Sequence, residues 1–157
     1  MPDYGDYAAD RTEITIHGKG ESIVTLALTE INYWAVLVGA IFYMIFGALY
    51  FSPMLFGGSW TRLNNVKEGH MSNPLIYVAS TGVAFLSSFL MAILIQGTGA
   101  SGLLAGLVVG LVVALIVTLV YLKNAAFGLM SRKVFAIAFG DHILSFIVLG
   151  ILHAVWK

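Results

Sequence analysis

Cysteine is missing from this chain, which excludes disulfides, cysteine-ligated iron–sulfur clusters and thiol catalysis while leaving the redox compartment open. Charge is nearly as scarce, at 10% of 157 residues, where soluble domains carry about 25%. A mean hydropathy of +0.92 and a 59% hydrophobic composition therefore exclude an ordinary soluble fold. Recognisable reaction motifs are also wanting: there is no nucleophile elbow, phosphate-binding glycine loop, zinc-protease helix or dinucleotide fingerprint. Gly97-Thr98-Gly99-Ala100-Ser101-Gly102 imitates a GxGxxG string, but it joins two apolar runs rather than a strand and a helix. The chain is expected to be non-catalytic, with no cofactor, no metal and no nucleic-acid partner. At this length it holds one compact bundle and not a membrane domain plus a separate enzyme.

What the chain does have is four apolar stretches, at about 32–51, 75–95, 103–122 and 134–156, each near the roughly 20 residues that a helix needs to cross hydrocarbon. The expected fold class is all-α, an integral membrane four-helix bundle over residues 31–157, preceded by an extramembrane tail over residues 1–30. Pro53 closes the first stretch and Asn73-Pro74 opens the second, where proline suits a first helical turn. The link from Gln96 to Gly102 is short enough to make the second and third helices antiparallel neighbours.

Arg62 and Lys67 lie in the first loop and Lys123, Arg132 and Lys133 in the third, against Arg11, Lys19 and Lys157 elsewhere. A multi-pass protein of the cell membrane is expected, with loops 52–74 and 123–133 cytoplasmic and both termini outside. The tail carries six acids and no signal-peptide pattern. Within it Ile14 and Ile16 alternate with polar residues before Gly18-Lys19-Gly20, and Ser22-Ile23-Val24-Thr25-Leu26 returns. That pattern reads either as a β-hairpin needing a partner surface or as a disordered acidic leader.

Asp141 is the one acid inside the four stretches, and His142 follows it. A carboxylate near mid-bilayer costs roughly 2.5 to 3.5 kcal/mol on insertion scales, so it needs a partner, a wet cavity or a purpose. Measured from Asp141 at 100° per residue, Ser145 lies at about 40°, His142 at about 100° and His153 at about 120°. This polar sector is expected to face other helices, a cavity or a partner, while Ile143, Leu144, Ile147 and Ile151 form an opposite face suited to lipid. Asp141 and His142 read either as a buried structural pair or as a proton relay with His153. His142 and His153 stand roughly 16 Å apart, too far to share a metal. His17 and His70 lie outside the spans.

The other stretches offer matching surfaces. Gly39, Tyr43, Gly47 and Tyr50 share a stripe from which a phenol can reach Asp141. Ser80, Ser87, Ser88 and Met91 share another face, supplying hydroxyls for hydrogen bonds across an interface. Gly102, Gly106, Gly110, Ala114 and Thr118 recur every fourth residue, forming a close-packing groove. Tyr33, Trp34, Trp60 and Trp156 fit interfacial belts. Lys123, Arg132 and Lys133 satisfy the topology rule or bind an anionic headgroup.

The run from Ile31 to Val38, then Gly47-Ala48-Leu49-Tyr50-Phe51-Ser52-Pro53-Met54-Leu55-Phe56-Gly57 and Trp60, resembles the start of the small prokaryotic membrane family called domain of unknown function 1761. Arg132 to Ile137 and Gly150 to Trp156 resemble its final helix, so the likeness spans about Ile31 to Lys157. It implies a four-helix membrane protein and supplies no reaction. Tyr50-Phe51 stands where family members typically have Trp-Tyr, and Asp141 is no part of the family pattern. Ser52, Pro53, Phe56, Gly57 and Trp60 read as a kinked interfacial anchor, or alternatively as a ligand-gating flap.

Two roles remain open. One is a non-catalytic membrane subunit or scaffold that docks a partner protein or a second copy through the glycine groove, the two-faced fourth helix and the tail. The other is a small transporter or proton-conducting protein using Asp141, His142 and His153. In either, the partners are membrane lipids and a homo-oligomer or larger membrane complex.

Overall fold

The computed structural model describes residues 13–16, 24–67 and 73–157. Strand β1 (Glu13–Ile16) pairs antiparallel with β2 (Val24–Ala27), from Glu13 opposite Ala27 to Ile16 opposite Val24. The turn expected at Gly18-Lys19-Gly20, the returning Ser22-Ile23, and His17 and His70 lie outside the described residues. A 3-10 turn, Leu28–Glu30, leads into α1 (Tyr33–Tyr50), followed by the short α2 (Gly57–Leu63), α3 (Pro74–Gly97), α4 (Leu103–Ala126) and α5 (Arg132–Val155). The helices α1, α3, α4 and α5 are long and apolar enough to cross a membrane, and the chain is a multi-pass membrane protein built on an all-α bundle.

Local chemistry sets the helix ends within a few residues of the hydropathy boundaries. Asn32 Oδ1 accepts from the Ala35 N–H, Asn73 Oδ1 from Leu75 and Ser131 Oγ from Val134, each satisfying an amide that the first turn leaves free. Pro74 occupies the first turn of α3, where its missing N–H is harmless. Gly102, at φ 84°, precedes α4 in a conformation that suits glycine, and its N–H donates to the Ala154 carbonyl at 2.9 Å. The link between α3 and α4 is thereby fastened to the end of α5.

α5 occupies the centre. One side meets α4 along its length, and the other meets the α1–α3 pair. A Cβ on Gly106 would come within 2.5 Å of the Gly150 carbonyl oxygen and 2.8 Å of Ile151 Cα, and one on Gly110 would strike Phe146 O. The expected groove forms at Gly106 and Gly110, and its occupant is α5; Gly102 stands ahead of α4 with nothing within 4 Å of where its Cβ would be.

This narrows the expected lipid face of α5, removing Ile147 and Ile151 and keeping Leu144. Ile147 and Ile151 present their backbone to the glycines of α4, and the strip left open is narrower, centred on Leu144 and Val148 and ending at Val155. In a membrane both lipid-facing and helix-facing surfaces are apolar, so side-chain polarity does not tell them apart. Two other expected stripes shorten. Gly47 has nothing within 4 Å of where its Cβ would stand. Ser80 is exposed, leaving Ser88 and Met91 as the fully buried members of the α3 face. The core is Met91, Ile95, Leu149 and Ala154, with Phe42, Tyr43, Val109, Val113 and Phe146 packed against it. Ile31, Val36 and Ala92 form a second cluster between α1 and α3.

Candidate functional site

The polar groups of α5 follow one another along its inner side. Asp141 is 7% exposed and Ser145 fully buried; one turn further Leu149 is fully buried, and His153 is 4% exposed. Asp141, Ser145 and His153 thus lie on the buried side of α5, with His153 against Ser88 of α3 and the neighbouring His142 against Tyr121 of α4.

At the first end, His142 Nδ1 stands 3.5 Å from Asp141 Oδ2. Its ring lies 4.9 Å from Tyr121 and 6.1 Å from Phe146, centroid to centroid. His142 Nδ1, Ser145 Oγ and Thr118 Oγ1 are buried without a hydrogen-bond partner among the described residues. Buried polar atoms of that kind are rare in native structures and commonly mark a place that water or a ligand fills. A cavity of about 270 Å³ opens here, lined by Asp141, His142, Tyr121, Phe51, Trp60 and Asn64 among others.

The family-like segment forms the roof of this cavity. Phe56 N–H donates to Tyr50 O and Gly57 N–H to Ser52 O, folding the chain back on the end of α1 directly after Pro53. Gly57 is obligatory, since a Cβ would strike the Phe51 carbonyl. Phe56 then tilts onto Tyr50 with centroids 4.7 Å apart, and Trp60 sets its edge against Phe51 at 5.7 Å. Met54 and Leu55 point outward, 93% and 57% exposed, as side chains that enter a headgroup layer do.

The phenols do not act as the stripe suggests. Tyr50 Oη donates to the Ile137 carbonyl at 3.0 Å, not to Asp141. It reaches that carbonyl by passing over Gly140, where any Cβ would meet the hydroxyl. Tyr43 is half-buried with its ring edge on Phe146. Tyr50→Phe should remove one hydrogen bond, worth about 1 kcal/mol, and leave the ring contacts in place. A thermal unfolding midpoint a few degrees below wild type in detergent is the expected outcome.

At the other end His153 Nε2 lies 3.0 Å from Ser88 Oγ, which donates to the Val36 carbonyl at 2.9 Å. Ser88 has one hydroxyl hydrogen. With that hydrogen on Val36 O, His153 must carry its own on Nε2 and donate to the serine, so α5, α3 and α1 are joined by one buried chain. Gly39 admits it, since a Cβ there would strike Ser88 Oγ. Sequence patterns do not reveal this pairing. The available signal was a serine and a histidine in two apolar helices, without the neighbour relation that matches them. A second cavity, about 330 Å³, lies at this end beside His153, lined also by Glu30, Asn32, Gln96, Trp156 and Lys157. Gln96 Nε2 donates to Glu30 Oε2 at 3.2 Å across its mouth.

Among the described residues no group of three or more histidines, aspartates or glutamates is placed to hold a metal ion. The geometry is that of a membrane bundle whose central helix turns a polar face inward, with a cavity at each end. Residues 34–154 match the family described as protein of unknown function (DUF1761), and the chain belongs to that family. The tail and hairpin precede the matched residues. No curated protein and no solved structure matches the chain.

Proposed function

We propose that this protein is a non-catalytic conduit or carrier, passing a small polar or charged species along the inner face of α5. The observation that supports this reading is the order of groups between the cavities: Asp141 and His142 at one, Ser145 next, then the apolar layer at Leu149, then His153 at the other. Intramembrane ionisable groups facing a cavity are the usual furniture of ion and proton pathways. The docking role is less well supported, because the glycine groove that would receive a partner is filled by α5 and the polar face is turned inward.

In the proposed setting the protein lies in the cell membrane with Arg62, Lys67, Lys123, Arg132 and Lys133 on the cytoplasmic side. The Asp141 cavity then faces the cytoplasm and the His153 cavity faces outward. Reconstitution into vesicles tests the reading. Asp141→Asn should abolish pH-dependent flux while the variant still elutes as folded protein, and undiminished flux in that variant would overturn the assignment.

A further inference from the structure

We propose that the cavity beside Asp141 binds a small organic cation, an amine carrying a fixed or acquired positive charge. Such a cation would be the species that the conduit carries, so its passage rests on the conduit reading while its binding does not.

Three features select this chemistry. The first is an uncompensated carboxylate: no Lys or Arg is among the described residues lining the cavity, and His142 Nδ1 stands 3.5 Å from Asp141 Oδ2. An anion entering here would face Asp141 with nothing to offset it, whereas a cation supplies the partner that a buried carboxylate needs. The second is the wall. Phe51, Trp60 and Tyr121 contribute rings to the same space, and aromatic faces, tryptophan best, attract cations, with quaternary ammonium groups the best-known case. Asn64 donates its amide N–H to Trp60 O at 2.9 Å, which leaves its carbonyl oxygen as a further acceptor.

The third is the shortage of oxygen. Calcium asks for six to eight oxygen ligands and magnesium for an octahedron, and the side chains lining the cavity offer the oxygens of Asp141, Asn64 and Tyr121. A cation whose charge is wrapped in carbon needs fewer. At about 270 Å³ the space falls just short of drug-sized pockets, which begin near 300 Å³, so the ligand is a compact amine.

The test is calorimetric titration of the full chain in nanodiscs with tetramethylammonium chloride, with sodium chloride and sodium acetate as controls. Saturable binding of tetramethylammonium with none of the controls is expected. Asp141→Asn should weaken it at least tenfold, and Trp60→Ala several-fold, with Trp60→Phe retaining most of the affinity. Absence of saturable binding to wild type, or unchanged affinity in Asp141→Asn, overturns the inference. If Asp141→Asn does not fold, Trp60→Ala decides, because that ring lies at the roof and unchanged binding without it is incompatible with an aromatic cation site. Vesicle flux separates the two proposals. Binding without flux retains the cation site and removes the conduit, while pH-dependent flux without cation binding retains the conduit and removes the site.

Discussion

Gly110→Leu should leave no folded bundle. A Cβ at position 110 would strike the Phe146 carbonyl oxygen and stand 2.9 Å from Ile147 Cα. These are backbone atoms of a helix, so no rotamer change relieves the contact. Adding even one methylene to a packed interior costs about 1–3 kcal/mol, and leucine adds four carbons where none fits. α4 would have to move off α5 along the most extensive helix interface among the described residues. The expected result is aggregated material on size exclusion and no cooperative thermal transition. Gly47→Leu is the control: its Cβ meets nothing within 4 Å, and that variant should elute and unfold like wild type. A well-behaved Gly110→Leu protein would mean that α4 does not lie against α5 as described.

In the proposed conduit, Leu149→Ala should turn a controlled passage into a leak. Leu149 is fully buried between Ser145 and His153 on the inner face of α5, with Met91 beside it. Removing its three terminal carbons leaves a hole between the two polar ends, which stand about 12 Å apart along the helix between Ser145 and His153. Water entering that hole would find the Ser145 hydroxyl, which lacks a partner. Vesicles holding Leu149→Ala are expected to leak many-fold faster than wild type, with flux losing its saturation. The unfolding midpoint should drop as well, since leucine-to-alanine changes in packed cores cost about 2.7–5 kcal/mol. Leu149→Met preserves volume and should behave as wild type in both measurements. Lost stability with unaltered flux would make Leu149 a packing residue and nothing more.

Much of this architecture is legible in the chain alone. The four helices follow from hydropathy, the start of α3 from Asn73-Pro74 and the end of α1 from Pro53, whereas the caps at Asn32 and Ser131 emerge only in the structure. The fourfold spacing of Gly106 and Gly110 identifies a close contact, and 100° per residue collects Asp141, Ser145 and His153 on one face. Neighbour identity is not legible. Ile147 and Ile151 look like lipid-facing residues because the α4 surface they meet is as apolar as lipid, and what makes the contact specific is glycine on the partner helix. The stripe on α1 points Tyr50 toward Asp141, but the gap at Gly140 delivers its hydroxyl to the Ile137 carbonyl instead. The hydrogen-bonded chain from His153 through Ser88 to Val36 joins residues in three helices, so no local pattern could announce it.

The central place of α5 bears on how the protein is made. Membrane helices insert as separate units and associate afterwards, and chains emerge with the N-terminal helices first. α1 and α3 can pair as soon as both are in the bilayer, through Val36 and Ala92. α4 then enters with Gly106 and Gly110 bare, because the surface they fit is still unsynthesised. Until α5 arrives, Ser88 has no histidine and the glycine face of α4 has no cover. A nascent protein halted at that stage would expose to its surroundings the very groove that the finished protein hides, which makes the interval before α5 insertion its most vulnerable moment to capture by other membrane helices or by quality-control proteases.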